Sequence, residues 1–122
     1  MIVAGFGFST RVGTDSLRDA LARACQAAGV RPDALATAHD KAPALAPLAD
    51  GLRLPLHPIA PDALTRQTTL TQSPRALHER GTGSVAEAAA LSAAGPGARL
   101  LTPRIHAQDR LSSCALAEGP KT

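Results

Sequence analysis

The chain has 122 residues, enough for one hydrophobic core and too few for two. Its apolar content comes mainly from Ala, Leu and Val, with Phe6 and Phe8 the only aromatics, so single-strand nucleic-acid binding, which needs stacking platforms, is excluded. A net charge of +3, carried by 11 arginines and 2 lysines, favours anionic partners that guanidinium groups can grip in pairs, and no apolar run approaches the roughly 20 residues that span a bilayer.

Residues 2–8, IVAGFGF, form an apolar run interrupted by glycines and read as a buried strand leading into a turn at 9–13. Thr14, Asp15 and Ser16 offer N-caps to an amphipathic helix in which Leu17, Leu21, Ala24 and Ala28 recur at helical spacing until Gly29 stops it. A short strand around LATA ends at the polar cluster His39, Asp40, Lys41. Leu45, Leu48, Ala49 and Leu52 mark a second helix with Pro43 or Pro47 in its first turn. Two prolines make 54–59 an edge strand, 61–66 a single helical turn follows, and QTTLTQ at 67–72 is a loop. Ser73 before Pro74 is a helix start of the Ser N-cap, Pro N1 kind, with the helix ending near Gly81.

In GTGSVAEAAALSAAG, residues 81–95, Ser84 and Glu87 form an S-x-x-E capping box in which each side chain satisfies a backbone N–H at the other's position, and Gly95 ends the helix. Residues 98–102 and 110–117 read as two more strands, and 118–122 as a disordered tail. The alternation predicts a single α/β domain over 1–117, with a mostly parallel or mixed sheet carrying helices on both faces in three layers. The first residues lack the basic flank of a signal peptide, so a cytoplasmic location is expected.

GFGFSTRVG begins like a dinucleotide fingerprint but has Thr10 in place of its third glycine. Gly5 and Gly7 instead mark a strand end that another backbone, or a flat ligand, can approach closely. Arg11 stands beyond them at the sheet's carboxyl edge, where open α/β sheets bind ligands. His39, His57, His78 and His106 show neither HxH nor HExxH spacing, and Cys25 and Cys114 form no CxxC, so no metal site and no disulfide framework are expected. The two thiols read as small buried hydrophobes. Ser84 lacks the glycines of a nucleophile elbow, with Thr82 and Ala86 in their places, and reads as a cap on a helix N-terminus whose free N–H groups attract carboxylates. Lys41, the one lysine inside the folded part, is either a solvated turn charge or a site residue.

The order of these motifs resembles that of the CobE proteins and the homologous C-terminal domain of CbiG, both of cobalamin biosynthesis. The likeness is carried by VAGFGFSTRVG, LATAHDK with Lys41, Ser73 before its helix, GSVAEAAAL at 83–91, ARLLTPR and SCALA, nearly the whole chain in order. It departs in three places: no acidic residue follows shortly after Lys41, Arg104 stands where relatives commonly carry lysine, and SSCALA replaces a threonine-rich strand.

The resemblance implies a protein of the corrin ring pathway, in its aerobic branch because the CobE type stands alone. It implies a carrier or accessory factor that binds a precorrin or other tetrapyrrole intermediate, without a cofactor. CbiG's opening of a precorrin lactone supplies the alternative, a hydrolase in which Lys41 or Glu87 assists proton transfer. A third reading is a structural partner for another pathway enzyme. Such intermediates are macrocycles fringed with acetate and propionate groups. The expected carboxylate contacts are Arg11, Lys41, Ser84 and Arg104, with Gly5, Gly7 and Gly83 giving close approach, and Ser73 and Glu87 acting as caps.

Overall fold

The computed structural model describes residues 1–120. Strands β1 (Ile2–Phe8), β2 (Ala34–Ala38) and β3 (Leu56–Ile59) lie parallel. They are joined by α1 (Thr14–Ala28), and by a 3₁₀ turn at His39–Lys41 that runs into α2 (Ala42–Leu52). Helices α3 (Pro61–Thr65), α4 (Pro74–Arg80) and α5 (Val85–Ala94) follow, then strands β4 (Arg99–Leu100), β5 (Ile105–His106) and β6 (Ser112–Glu118). The sheet is six-stranded and mixed, in the order β3-β2-β1-β6-β4, with β5 also pairing with β6. β6 runs antiparallel to β1, from Ile2 opposite Glu118 to Phe8 opposite Ser112.

The strand period of two divides the apolar residues between two layers. Ala4, Phe6, Leu35, Cys114 and Leu116 face α1 and α2, where they meet Leu17, Leu21, Leu45 and Leu48. Val3, Ala34, Ala36 and Ala38 face the other way, towards Leu64 of α3 and Ala88 and Ala89 of α5. The result is the expected three-layer α/β/α domain. Among the described residues no helix is long and apolar enough to cross a membrane.

Helix α5 lies against β1, β2 and β6, and the six alanines among its ten residues are what let it do so. A Cβ added at Gly5 would collide with the carbonyl oxygen of Ala86 and stand 2.5 Å from Ala90 N. The backbone that approaches Gly5 is therefore the protein's own helix, and no room is left there for a ligand.

Several local expectations are corrected. Helix α1 starts after Gly13 with no side-chain cap. Ser16, expected as a cap candidate, is buried inside it and bonded through Oγ to Asp109 and to Ser112. Pro43 takes the first-turn place of α2 while Pro47 sits inside the helix. The strand expected at 98–102 is only two residues long, and β5 was not expected. The last strand extends to Glu118, which pairs with Arg99, and Gly119 N–H donates to the Met1 carbonyl. Of the residues expected as a tail, Glu118 is therefore part of β6, and residues 121–122 lie outside the described residues. Both thiols are free, Cys114 buried and Cys25 partly so, and burial pushes both upwards, keeping them protonated.

Candidate functional site

The sheet changes direction beside the carboxyl end of β1, where parallel β2 lies on one side and antiparallel β6 begins on the other. Helix α1 packs on one face and α5 on the opposite face, leaving a crevice at this edge, the place where open α/β sheets receive ligands. A cleft of about 230 Å³ opens there. Its floor is formed by Gly7, Phe8 and Thr37, and its walls by Lys41, by one side of α4, by Ser84 and Val85 at the start of α5, and by the segment 104–113.

Of the residues singled out in the sequence, Gly7, Lys41, Ser84 and Arg104 meet in this cleft, and the capping Ser73 lines it too. Ser73 Oγ accepts from Ala76 N at 3.3 Å, and Ser84 Oγ accepts from Glu87 N at 3.2 Å, so both serines cap as expected. Gly5 is buried beneath α5. Gly83 packs against the side chains of Gln72 and Thr69. Arg11 is exposed and lies outside the cleft lining.

Glu87 departs furthest from its expected part. It is fully buried, and its carboxylate does not return to Ser84. Oε1 accepts from Leu70 N at 2.6 Å and Thr71 N at 3.0 Å, and Oε2 from Thr71 Oγ1 at 2.6 Å and Arg104 N at 2.9 Å. The capping box is thus only half made. Its acid fastens the loop before α4 and the backbone of Arg104 to α5 instead.

The charge of the cleft is strongly one-sided. Among the described residues, Lys41, Arg75, Arg80, Arg104 and Arg110 line it against the single carboxylate of Glu79. Lys41 Nζ donates to the Phe8 carbonyl at 3.2 Å and lies 5.5 Å from the centre of the Phe8 ring, which holds the ammonium at the strand end. Arg80 makes a bidentate pair with Asp40, at 2.5 and 2.6 Å, that holds the Asp40 carboxyl down at about 2. Arg75 pairs with Glu79 at 3.1 Å. Among the described residues no carboxylate pairs with Arg104 or Arg110. Desolvation, with smaller contributions from Arg110 and Arg104, pushes the imidazole of His106 below its ordinary value.

Arg75, Arg80, His106 and Arg110 were not anticipated. For Arg75 a signal existed: it is a cation in the first turn of a helix, where the macrodipole disfavours positive charge, so its position called for a reason beyond helix stability. Arg110 had none, because it reaches the cleft from a turn in which its own φ is 63°. Among the described residues no cluster of His, Cys, Asp and Glu could hold a metal ion.

The sequence from 2 to 117 matches the family model described as Cobalamin synthesis G C-terminus. The chain belongs to that family. Its place is in cobalamin biosynthesis. Among solved structures, CobE, a protein from the cobalamin (vitamin B12) biosynthetic pathway, is 38% identical with a TM-score of 0.86, over 96% of this chain and 89% of its own. The cobalamin biosynthesis protein chiG of Agrobacterium tumefaciens is 37% identical with a TM-score of 0.79, over 99% and 100%. A putative cobalamin biosynthesis protein G homolog of Sulfolobus solfataricus shares the fold, at 20% identity and a TM-score of 0.73, over 95% of this chain and 36% of its own. No curated protein sequence matches this family member significantly.

Proposed function

We propose that the cleft binds the carboxylate rim of a precorrin or related tetrapyrrole intermediate, and that the protein carries or presents this intermediate during cobalamin synthesis. The observation that supports this most directly is the lining, with Lys41 and four arginines facing one carboxylate. Guanidinium forks match carboxylates in geometry as well as charge.

Size refines the reading. Pockets that enclose a drug-sized ligand run from roughly 300 to 1,000 Å³, whereas this one is about 230 Å³. It suits two or three acetate or propionate arms, with the ring itself resting outside the mouth. Gly5 and Gly83 provide no platform for the macrocycle, since both are covered by protein atoms, and Gly7 alone of the three glycines reaches the cleft floor.

Lactone hydrolysis is less well supported. Glu87, one of its two expected proton carriers, has both oxygens occupied by backbone and hydroxyl donors and is fully buried. The aerobic branch is the setting we favour, because this chain is like two relatives over nearly their whole lengths.

The test is to titrate the purified protein with precorrin intermediates and with uroporphyrin III, follow absorbance, and weigh the recovered ligand by mass spectrometry. A spectral change with unaltered mass is expected. A changed mass would replace the carrier with an enzyme, and absence of binding would leave the role of a partner to another pathway protein.

A further inference from the structure

One cleft residue carries a charge that can change near neutral pH. His106 stands directly opposite Ser113 in the β5–β6 pair, and Ser113 opposite Gly7 in the β6–β1 pair. Directly opposed residues put their side chains on the same face, so His106 points to the α5 side of the sheet, into the mouth of the cleft. Arg104 precedes it by two residues, and Arg110 follows after one turn. These are the two cleft arginines without a carboxylate partner among the described residues.

We infer that His106 is a further ligand-binding residue, a third cation beside Arg104 and Arg110 that is switched on by taking up a proton as a polycarboxylate docks. This rests on the polycarboxylate reading given above.

The physics follows from what surrounds the ring. In the free protein burial, and to a smaller degree the two arginines, disfavour the protonated imidazole, because a third positive charge would be poorly hydrated and repelled. Carboxylates arriving on Arg104 and Arg110 cancel that repulsion and place negative charge beside the ring. The protonated ring donates from both nitrogens, the neutral one from a single nitrogen.

The other charges in and around the cleft are already committed. From α4, Arg75 is paired with Glu79, and Arg80 with Asp40. From α5, Glu87 is taken up by backbone donors, and Lys41 is held by the Phe8 carbonyl. β6 presents the uncharged Ser113, and the α1 pair Arg23–Asp19 lies on the other face of the sheet. The resident carboxylates therefore leave His106 to respond to the ligand.

The sign is fixed by linkage. If the ligand raises the midpoint of His106, affinity climbs as pH falls from the bound to the free midpoint, and is level on either side. Each unit between them corresponds to a tenfold change in affinity.

The test uses pyromellitate, a benzene tetracarboxylate. Its binding is measured between about pH 6 and about pH 8, and the four histidines are followed by NMR with and without it, His106 being assigned from the His106→Gln variant. The expected result is a rise in the His106 midpoint alone, with wild-type affinity falling about threefold or more across the range. The affinity of His106→Gln should be flat and match wild type at the alkaline end. Pyromellitate binding with an unmoved His106 midpoint would overturn the inference while leaving the binding reading intact. No pyromellitate binding at any pH would overturn the polycarboxylate reading and the inference together. Should His106→Gln fail to fold, the wild-type midpoint, assigned by through-bond correlation, decides alone.

Discussion

At Gly5 a hydrogen atom in place of a methyl group is what allows α5 to lie on the sheet. The atoms facing it are backbone, Ala86 O and Ala90 N, and cannot swing away as a side-chain tip could. Gly5→Ala should therefore cost about 3 kcal/mol or more, the upper range for overpacking, read as a fall in thermal midpoint. An unchanged midpoint would mean that α5 does not approach as described. That something comes close at this position was legible in GFGF, but whether helix or ligand was not, because the answer lies some 80 residues further on. Glu87 shows the opposite error: the local S-x-x-E spacing suggested a box, while its partners are 16 and 17 residues away. In Glu87→Gln the amide oxygen can serve Leu70 and Thr71, but the amide NH₂ then faces Arg104 N, another donor. The orphaned N–H should cost about 1–3 kcal/mol. Loss of ligand affinity beyond what an equally destabilised core variant shows would confirm that Glu87 also positions Arg104.

Helix α4 is the element least bound to the rest. It has seven residues, none of them buried, although it brings Arg75, Glu79 and Arg80 to the cleft. Ser73–Pro74 and Gly81 made both its ends legible. Its attachment was not, since Arg80 reaches back 40 residues to Asp40. Two-residue β5 was equally hidden, being shorter than any period a pattern could reveal. Asp40→Asn should raise amide hydrogen exchange across 75–80 severalfold and leave α1 and α5 unaffected. Its effect on global stability should be about 1 kcal/mol or less, because solvent screens a pair whose aspartate side chain is 60% exposed. The pH dependence has a definite sign. Arg80 lowers the Asp40 carboxyl from 3.8 to about 2 in the folded state, so the clasp contributes fully above the unfolded value and is lost as pH falls between them. Protection of the α4 amides, relative to their intrinsic exchange rates, should fall over that acid range, and the fall should be absent in Asp40→Asn.

For the molecule as a whole, alternating strand and helix signals were sufficient for a three-layer α/β domain, because a sheet apolar on both faces needs a helix layer on each. Strand order was not legible: the insertion of antiparallel β6 between β1 and β4 is decided by the opposite register of two near-continuous apolar runs, which carry no sign of direction. That insertion is also what delivers Arg104, His106 and Arg110 to the same edge as Lys41, and so concentrates a modest net charge of +3 into a local excess of cations. A local excess of this kind attracts anions through a field that salt screens over about 10 Å at 0.1 M and about 3 Å at 1 M. Lys41→Ala and Arg104→Ala should each weaken polycarboxylate binding about tenfold at low ionic strength, the size of one charge-assisted hydrogen bond, and by clearly less near 1 M salt. Arg99→Ala provides the control, since Arg99 is occupied by Glu118 and lies outside the cleft lining; it should bind like wild type throughout. If the Lys41 and Arg104 variants lost affinity equally at every salt concentration, their contribution would be to the folding of the cleft wall rather than to its charge.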